Sequence, residues 1–181
     1  MREIEVKYRV DDVEAVLLVL KARGIQLSEP KYQDGQAYAP TGWQFGDSKL
    51  GVSFVRLRSV NGRHYFALKQ PGENPQACLE YETEVTDRET MHGAILQMGY
   101  YPTVRVAKTR RVATLPQCSL CLDELEGVGG FLELERLVPD DTAGEMVQAE
   151  LAAFVDSLGI TASRTEQTYD SLVRAAQDSS A

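Results

Sequence analysis

The segment Glu3–Val10 constrains the fold of this chain more than any other, because its charged and apolar residues alternate without a break. Successive side chains of a β-strand point to opposite faces, so this alternation predicts a strand with one charged and one apolar face. Taken alone, the segment is typical of a surface strand whose charged face lies in water. The charged face carries Glu3, Glu5, Lys7 and Arg9.

Further segments that alternate like strands repeat the pattern, with charged residues two positions apart on one face. These sets are Arg56/Arg58, Glu80/Glu82/Glu84, Lys108/Arg110 and Glu133/Glu135, while Lys69 and Asp123 add single charges. Together with tight-turn signals such as Asn61-Gly62, the pattern predicts about eight strands. Eight antiparallel strands can close into a barrel with its charged faces inside. We therefore predict an α+β fold, in which a closed eight-stranded antiparallel barrel carries helices packed outside.

Helical spacing and cap residues place four helices around these strands. We predict one domain over residues 1–176 and a frayed tail at 177–181. The first predicted helix starts at an Asp11 or Asp12 cap and ends at Gly24. The second runs from about Asp87 to Met98, and the last two cover about 141–158 and about 164–176.

Composition narrows the class of protein. The net charge of −8 argues against nucleic acid as a partner. No apolar run approaches the roughly 20 residues of a membrane span, and no signal peptide precedes Arg2-Glu3, so we expect no membrane partner. Three cysteines are an odd set without a disulfide framework, which favours the cytoplasm. Cys118-x-x-Cys121 lacks a second Cys/His pair, so we expect no zinc there.

Acidic and basic residues interspersed in this way indicate phosphoryl chemistry. Carboxylates two positions apart on a strand can share a hard cation such as Mg²⁺, and arginine and lysine bind phosphate oxygens. Glu3/Glu5 and Glu133/Glu135 with Asp123 are the candidate metal ligands. No Walker-type glycine loop is present, so side chains of a barrel wall would have to bind the phosphates. A salt-bridge ladder on a solvated surface is the alternative.

In this order, the motifs resemble those of the CYTH superfamily, which groups class IV adenylyl cyclases with thiamine triphosphatases and other triphosphate tunnel enzymes. Glu3-x-Glu5-x-Lys7 is similar to the hallmark E-x-E-x-K of that family. The resemblance continues through Arg56-x-Arg58, Lys69 before Gln-Pro-Gly, Glu80-x-Glu82-x-Glu84, Lys108-x-Arg110, Leu122-Asp123 and Phe131-x-Glu133-x-Glu135. The late segment Tyr169-Asp-Ser-Leu172 resembles the tail of the class IV cyclase branch.

The resemblance implies a tunnel that binds a nucleoside or organic triphosphate with Mg²⁺ or Mn²⁺, in a protein that forms a homodimer. It implies catalytic roles for Lys69 and Tyr38, because some members use a Tyr/Lys pair near the reacting end; a core position is the alternative for Tyr38. The implied phosphate ligands are Lys7, Arg9, Arg56, Arg58, Lys69, Lys108 and Arg110. The implied metal ligands or their close support are Glu3, Glu5, Asp123, Glu133 and Glu135, with Glu80, Glu82 and Glu84 as supporting carboxylates.

One segment departs from the family. Members often carry acids on both sides of the second-strand tyrosine, whereas Gln36–Pro40 has none. This departure weakens any metal or nucleotide role for that strand. Near it, Trp43 and Phe45 either stack on a base or pack their loop onto the core.

The sequence leaves three functions open. We favour a class IV adenylyl cyclase, which converts ATP to cyclic AMP and pyrophosphate. A triphosphatase would use nearly all the same charged residues, with water attacking the terminal phosphorus. A non-catalytic polyphosphate- or nucleotide-binding module would keep the cations but could lose the metal carboxylates.

Overall fold

Eight antiparallel strands close into a barrel in the computed structural model, which describes residues 1–179. A short ninth strand extends the sheet beside the first strand. The predicted eight-stranded barrel is thus confirmed. The strands are β1 (Arg2–Val10), β2 (Lys31–Pro40), β3 (Phe54–Val60), β4 (Arg63–Pro71), β5 (Ala77–Val85), β6 (Tyr100–Thr114), β7 (Ser119–Leu125), β8 (Gly129–Val138) and β9 (Ala162–Thr165). The helices are α1 (Val13–Ala22), α2 (Arg88–Gln97), α3 (Gly144–Leu158) and α4 (Tyr169–Ser179).

Strand β1 closes the barrel and divides one of its edges between two partners. One edge pairs with β8 from Arg2 to Val10. On the other edge, Arg2–Ile4 pairs with β5 and Lys7–Val10 pairs with β9. The direct closure between β1 and β5 therefore spans three residue pairs, and β9 satisfies the backbone groups of β1 beyond it.

The apolar face of β1 forms the centre of the main hydrophobic core. Ile4, Val6, Tyr8 and Val10 are buried against α1 and α3. Full burial of each such side chain stabilises the fold by roughly 1.5–3 kcal/mol. Because the apolar face of β1 is packed under these helices, its charged face points into the barrel. Asp12, and not Asp11, caps α1, because its carboxylate accepts a hydrogen bond from the backbone N–H of Ala15 at 2.9 Å.

Helix α4 packs against one end of the barrel. Its Val173 packs against Val104, Leu125 and Phe131. These three residues alternate in register with the inward charges of β6, β7 and β8, so α4 covers one end of the barrel. None of the four helices described within residues 1–179 is long and apolar enough to cross a membrane.

The C-terminal boundaries differ from the prediction. The helix predicted over about 164–176 is present as α4 but begins later, at Tyr169, and continues to Ser179, while Ala162–Thr165 forms β9. Residues 177–179 are thus helical and not a frayed tail, and residues 180 and 181 lie outside the described part of the chain. Pairing with the exposed edge of β1 decides the conformation of β9, and this long-range contact has no local sequence signal.

Candidate functional site

The inward faces of the strands enclose one cavity of about 180 Å³. Seven cationic side chains line it against five carboxylates, although the whole chain carries a net charge of −8. So many cationic side chains around one cavity favour an anionic ligand even in an acidic protein. The cations are Lys7, Lys49, Arg56, Arg58, Lys69, Lys108 and Arg110, and the carboxylates are Glu3, Glu5, Glu133, Glu135 and Asp170.

Three carboxylates converge on one point of the cavity wall. One oxygen each from Glu5, Glu133 and Glu135 lies within 4.8 Å of the others, a spacing that a single metal ion could bridge. The register of the barrel explains this, because Glu5 stands directly opposite Glu135 where β1 pairs with β8. An all-oxygen donor set suits Mg²⁺ or Mn²⁺. These three residues therefore fit a divalent cation.

The electrostatics of this carboxylate cluster also favour an added cation. Burial raises the pKa of Glu5 to about 7, with Lys7 opposing and Glu133 adding to the rise. Burial likewise raises the pKa of Glu135, although Arg110 opposes it. Burial acts on Glu133 too, but Lys7, Arg110 and Lys108 outweigh it and hold its pKa well below the usual value. At two of the three carboxylates, Glu5 and Glu135, the neighbouring positive charge thus does not offset burial.

Lys7 supplies the nearest positive charge to this cluster. Its Nζ lies 3.2 Å from an oxygen of Glu5 and 3.2 Å from an oxygen of Glu133. Burial would lower the pKa of Lys7, but the two carboxylates reverse this and raise it. Lys7 therefore balances two carboxylates of this cluster in the ligand-free cavity.

Arg56 and Arg58 carry the clearest signal for a bound anion. Both guanidinium groups bond to Glu82 at 3.0 Å. Their Nε atoms are buried and, among residues 1–179, have no hydrogen-bond acceptor. A buried N–H without an acceptor is costly, and phosphate oxygens would supply the missing acceptors.

Two of the buried cations are also short of negative charge. Burial, reinforced by Arg56, lowers the pKa of Arg58. Burial and then Arg110 lower the pKa of Lys108, which has Asp123 as its carboxylate partner at 3.0 Å. An anionic ligand near these two side chains would restore the balance. Arg56, Arg58 and Lys108 are therefore the cations best suited to phosphate.

Lys69 and Arg110 are already neutralised by carboxylates. The Nζ of Lys69 lies 2.7 Å from Glu3 and 3.0 Å from Glu80. Arg110 donates to both oxygens of Asp123, at 2.7 and 2.6 Å, and also bonds to Glu133 and Glu135. The guanidinium of Arg110 thus holds three carboxylates in place in this structure. The phosphate contact predicted for it would require some of these bonds to break.

Asp123 is not placed as a metal ligand. Its side chain is fully buried, and its oxygens accept hydrogen bonds from Lys108, Arg110 and the hydroxyl of Tyr169. Neither Asp123 nor Glu3 belongs to the three-carboxylate cluster. Both predicted metal ligands instead support neighbouring cations.

The predicted supporting carboxylates divide into two groups. Glu80 and Glu82 pair with the inward cations Lys69, Arg56 and Arg58. Glu84, at the end of β5, is exposed and pairs with Arg63 away from the cavity. Glu84 therefore lies outside the tunnel, which corrects the supporting role predicted for it.

Arg9 lies outside the cavity, and Tyr38 lies at the cavity wall with its side chain directed into the core. Arg9 is exposed and donates a hydrogen bond to the carbonyl of Val128 at 2.8 Å, at the rim of the barrel. Alternation along β2 places Ala37 opposite Arg56, so Tyr38 points outward and packs with Val55 under α2. The Tyr38 hydroxyl lies 2.7 Å from Nδ1 of His92. The catalytic role predicted for Tyr38 is corrected to the core position that was its alternative.

Tyr169 is the main site residue to which the charge pattern gave no role. Its ring lies 4.3 Å from Nζ of Lys7 and 4.5 Å from Nζ of Lys108, and its hydroxyl donates to Asp123 at 2.7 Å. It reaches the cavity because α4 covers the end of the barrel. The only sequence signal was the resemblance of the segment Tyr169–Leu172 to a family tail.

Comparison with known proteins agrees with this fold. The model of the CYTH domain family matches residues 1–169. Adenylate cyclase CyaB of Aeromonas hydrophila is 24% identical over 166 residues, covering 91% of this chain and 84% of that relative. The PH1012 protein of Pyrococcus horikoshii shares the fold, with a TM-score of 0.78 and 22% identity over 94% of this chain and 98% of that one. HpAC1 of Hippeastrum, described as having a dominant triphosphatase activity, has a TM-score of 0.67 and 19% identity over 97% of this chain and 96% of that one.

Proposed function

Because the chain belongs to the CYTH family, we propose that it is a divalent-metal-dependent enzyme acting on a nucleoside or organic triphosphate, and specifically a class IV adenylyl cyclase. In that reaction the ribose 3′-hydroxyl of ATP attacks the α-phosphorus and pyrophosphate leaves. One observation carries the proposal: the carboxylate cluster and two arginines with unmet hydrogen-bond donors line the same cavity. The adenylate cyclase name of the Aeromonas relative supports the choice of reaction.

Each set of side chains would have a distinct task. Glu5, Glu133 and Glu135 would hold Mg²⁺ or Mn²⁺, which when bound polarises a phosphoryl oxygen and offsets its charge. Arg56, Arg58 and Lys108 would bind and orient the phosphates, and such positioning supplies most of the catalysis in phosphoryl transfer.

Lys69 would act by its charge and not as a base. Burial would lower its pKa, but Glu3 and Glu80 outweigh this effect and raise the pKa above the ordinary lysine value. The ammonium group therefore stays protonated at neutral pH. At that position it would stabilise negative charge that develops on the leaving phosphate.

A triphosphatase is the second candidate, and the Hippeastrum neighbour with its dominant triphosphatase activity favours it. There water attacks the terminal phosphorus while the same cations hold the chain of phosphates.

Purified protein should be incubated with ATP, thiamine triphosphate and inorganic triphosphate in Mg²⁺ or Mn²⁺, and the products separated by chromatography. Cyclic AMP with pyrophosphate identifies the cyclase, and orthophosphate the triphosphatase. Binding without any product would leave the non-catalytic module.

Replacing Arg58 by alanine should raise the dissociation constant for a triphosphate about ten- to a hundredfold, because a hydrogen bond to a charged group contributes about 1.5–3 kcal/mol. Arg63→Ala is the matched control, since that arginine lies on the adjoining strand of the hairpin but is exposed and pairs with Glu84. Calorimetric titration measures both. An unchanged affinity in Arg58→Ala would remove this residue from the phosphate site.

The raised pKa of Glu5 predicts that metal binding depends on pH. A cation displaces the proton, so the apparent affinity for Mn²⁺ should rise about tenfold per pH unit up to about 7 and then level off. Without metal, the stability contributed by Glu5 changes in the opposite direction and falls as pH rises. The folded state holds this proton more tightly than the unfolded state, so the contribution of Glu5 to stability is lost as pH rises from about 4.5 to about 7.

Titration of Mn²⁺ between pH 5.5 and 8.5 tests the pH dependence of binding. The variant Glu5→Gln should bind Mn²⁺ more weakly and with a flatter pH profile, because it has no proton to release. A wild-type profile as flat as that of Glu5→Gln would show that Glu5 is not in the metal site.

A further inference from the structure

The ring of Tyr169 lies close to two cations that come from different strands of the barrel. Nζ of Lys7, on β1, lies 4.3 Å from the centroid of the ring, and Nζ of Lys108, on β6, lies 4.5 Å from it. The negative electrostatic potential of an aromatic face attracts an ammonium group within about 6 Å of the centroid. Tyr169 therefore stabilises two buried cations at defined positions, although it carries no charge itself.

The hydroxyl of Tyr169 shares its acceptor with Lys108. It donates to Oδ2 of Asp123 at 2.7 Å, and Nζ of Lys108 donates to the same oxygen at 3.0 Å. Arg110 donates to this oxygen at 2.6 Å and to Oδ1 at 2.7 Å. Asp123 thus accepts hydrogen bonds from three side chains, and two of them remain if the ammonium group of Lys108 turns to a phosphate.

We propose that Tyr169 is a positioning residue for Lys108, one of the three cations assigned above to phosphate. The inference rests on the proposed function and adds to it a residue outside the charged set. The ring of Tyr169 holds the ammonium group in the cavity. Its hydroxyl keeps a donor on Asp123 once Lys108 bonds to a phosphate oxygen, so Tyr169 acts through its neighbours and not by contact with the substrate.

The exchange of partners at Lys108 explains why such a residue is useful. Within residues 1–179, Asp123 is the only carboxylate at ion-pair distance from Lys108, and both side chains are buried. When the ammonium group moves to a phosphate, it exchanges one anion for another, whereas Asp123 loses a donor. A buried carboxylate that loses a donor is costly, and the hydroxyl of Tyr169 lowers that cost.

Contacts on both sides of Tyr169 fix the position of its side chain. The ring packs edge-on against Phe131, with the centroids 5.4 Å apart. Nζ of Lys49 lies 2.7 Å from the hydroxyl of Thr168 and 2.7 Å from a carboxylate oxygen of Asp170, the two sequence neighbours of Tyr169. A side chain locked by its surroundings in this way can position another group precisely. Because α4 begins at Tyr169, the docking of this helix sets the geometry.

Two substitutions separate the hydroxyl of Tyr169 from its ring. Tyr169→Phe should raise the dissociation constant for an unreactive ATP analogue with Mg²⁺ about tenfold, since a hydrogen bond to a charged group is worth at least about that factor. Tyr169→Leu also removes the aromatic face and should raise the constant about a hundredfold. Calorimetric titration measures both, and urea unfolding confirms that each variant is folded. Tyr32→Phe is the matched control: it removes an exposed hydroxyl that donates to Glu126 at 3.0 Å, and its affinity should stay within about twofold of the wild type.

A double-mutant cycle distinguishes the positioning of Lys108 from a merely structural role. In Lys108→Met protein, the further change Tyr169→Phe should alter the dissociation constant by less than about twofold, because the cation that it positions is gone. In Arg58→Ala protein the effect should remain about tenfold, since Arg58 lies on β3 and bonds to Glu82. Lys108→Gln, which can still donate to Asp123, replaces Lys108→Met if that variant does not fold. A tenfold effect of Tyr169→Phe that persists without Lys108 would overturn the proposal.

These outcomes separate the positioning role from the function on which it rests. If the wild-type protein binds the ATP analogue and Tyr169→Phe binds it equally well, the role of Tyr169 is wrong and the proposed function stands. If the wild-type protein binds no triphosphate with Mg²⁺ or Mn²⁺, the proposed function fails and the role of Tyr169 fails with it.

Discussion

Replacing Glu133 by glutamine is expected to lower turnover by at least about a hundredfold, because it removes a charged ligand from the proposed metal site. Glu133 is buried and stands at the centre of the cluster, between Glu5, Glu135 and the cations Lys7 and Arg110. The amide keeps the shape of the side chain but not its charge. Turnover at saturating Mg²⁺ or Mn²⁺, measured by product chromatography, gives the effect.

The binding of triphosphate should survive in Glu133→Gln, since Arg56, Arg58 and Lys108 are unchanged. Glu126→Gln is the matched control, because that carboxylate is exposed and pairs with Arg105 on the outer surface. Its turnover should equal that of the wild type. Turnover in Glu133→Gln as high as in this control would contradict the metal role.

Replacing Asp123 by asparagine should destabilise the fold by about 3–5 kcal/mol, because it leaves Lys108 and Arg110 buried without their common carboxylate. The side chain is fully buried and accepts hydrogen bonds from both cations and from Tyr169. Urea unfolding measures the change. Asp34→Asn is the matched control: its exposed pair with Arg105 at 2.8 Å should contribute at most about 1 kcal/mol.

The pH dependence of stability provides a second readout for Asp123. Burial would raise its pKa, but Arg110 and Lys108 outweigh burial and lower it. A carboxyl with a lowered pKa contributes stability above its unfolded-state value, near 4, and that contribution is lost as pH falls toward the folded-state pKa. Asp123→Asn should therefore lose less stability than the wild type between pH 5 and pH 3. Parallel curves of unfolding free energy against pH for the two proteins would contradict the buried ion pairs of Asp123 with Lys108 and Arg110.

The barrel could be predicted from the sequence because alternation fixes which face of each strand is charged. The same rule fails at strand ends, where a residue on the inner face can still reach solvent. Arg9 and Glu84 are such cases: both follow the inward series, and both are exposed. For Tyr38 the rule holds: alternation along β2 places its side chain on the outer face with Val55, as the structure does.

The division of labour among the charges could not be predicted, because it depends on the register between strands. Which cation meets which carboxylate is decided by pairings such as Glu5 with Glu135 across β1 and β8. The contribution of Tyr169 depends on where α4 docks, which is a tertiary contact with no periodic signal. The homodimer implied by the family resemblance stays a prediction, since the structure describes a single chain.

The most direct test of the account is a crystal structure with Mn²⁺ and a non-hydrolysable ATP analogue, using anomalous scattering to locate the metal. We predict a manganese peak among Glu5, Glu133 and Glu135, and phosphates on Arg56, Arg58 and Lys108. Manganese and phosphates bound on the outer surface, with the barrel interior closed by its own ion pairs, would contradict it.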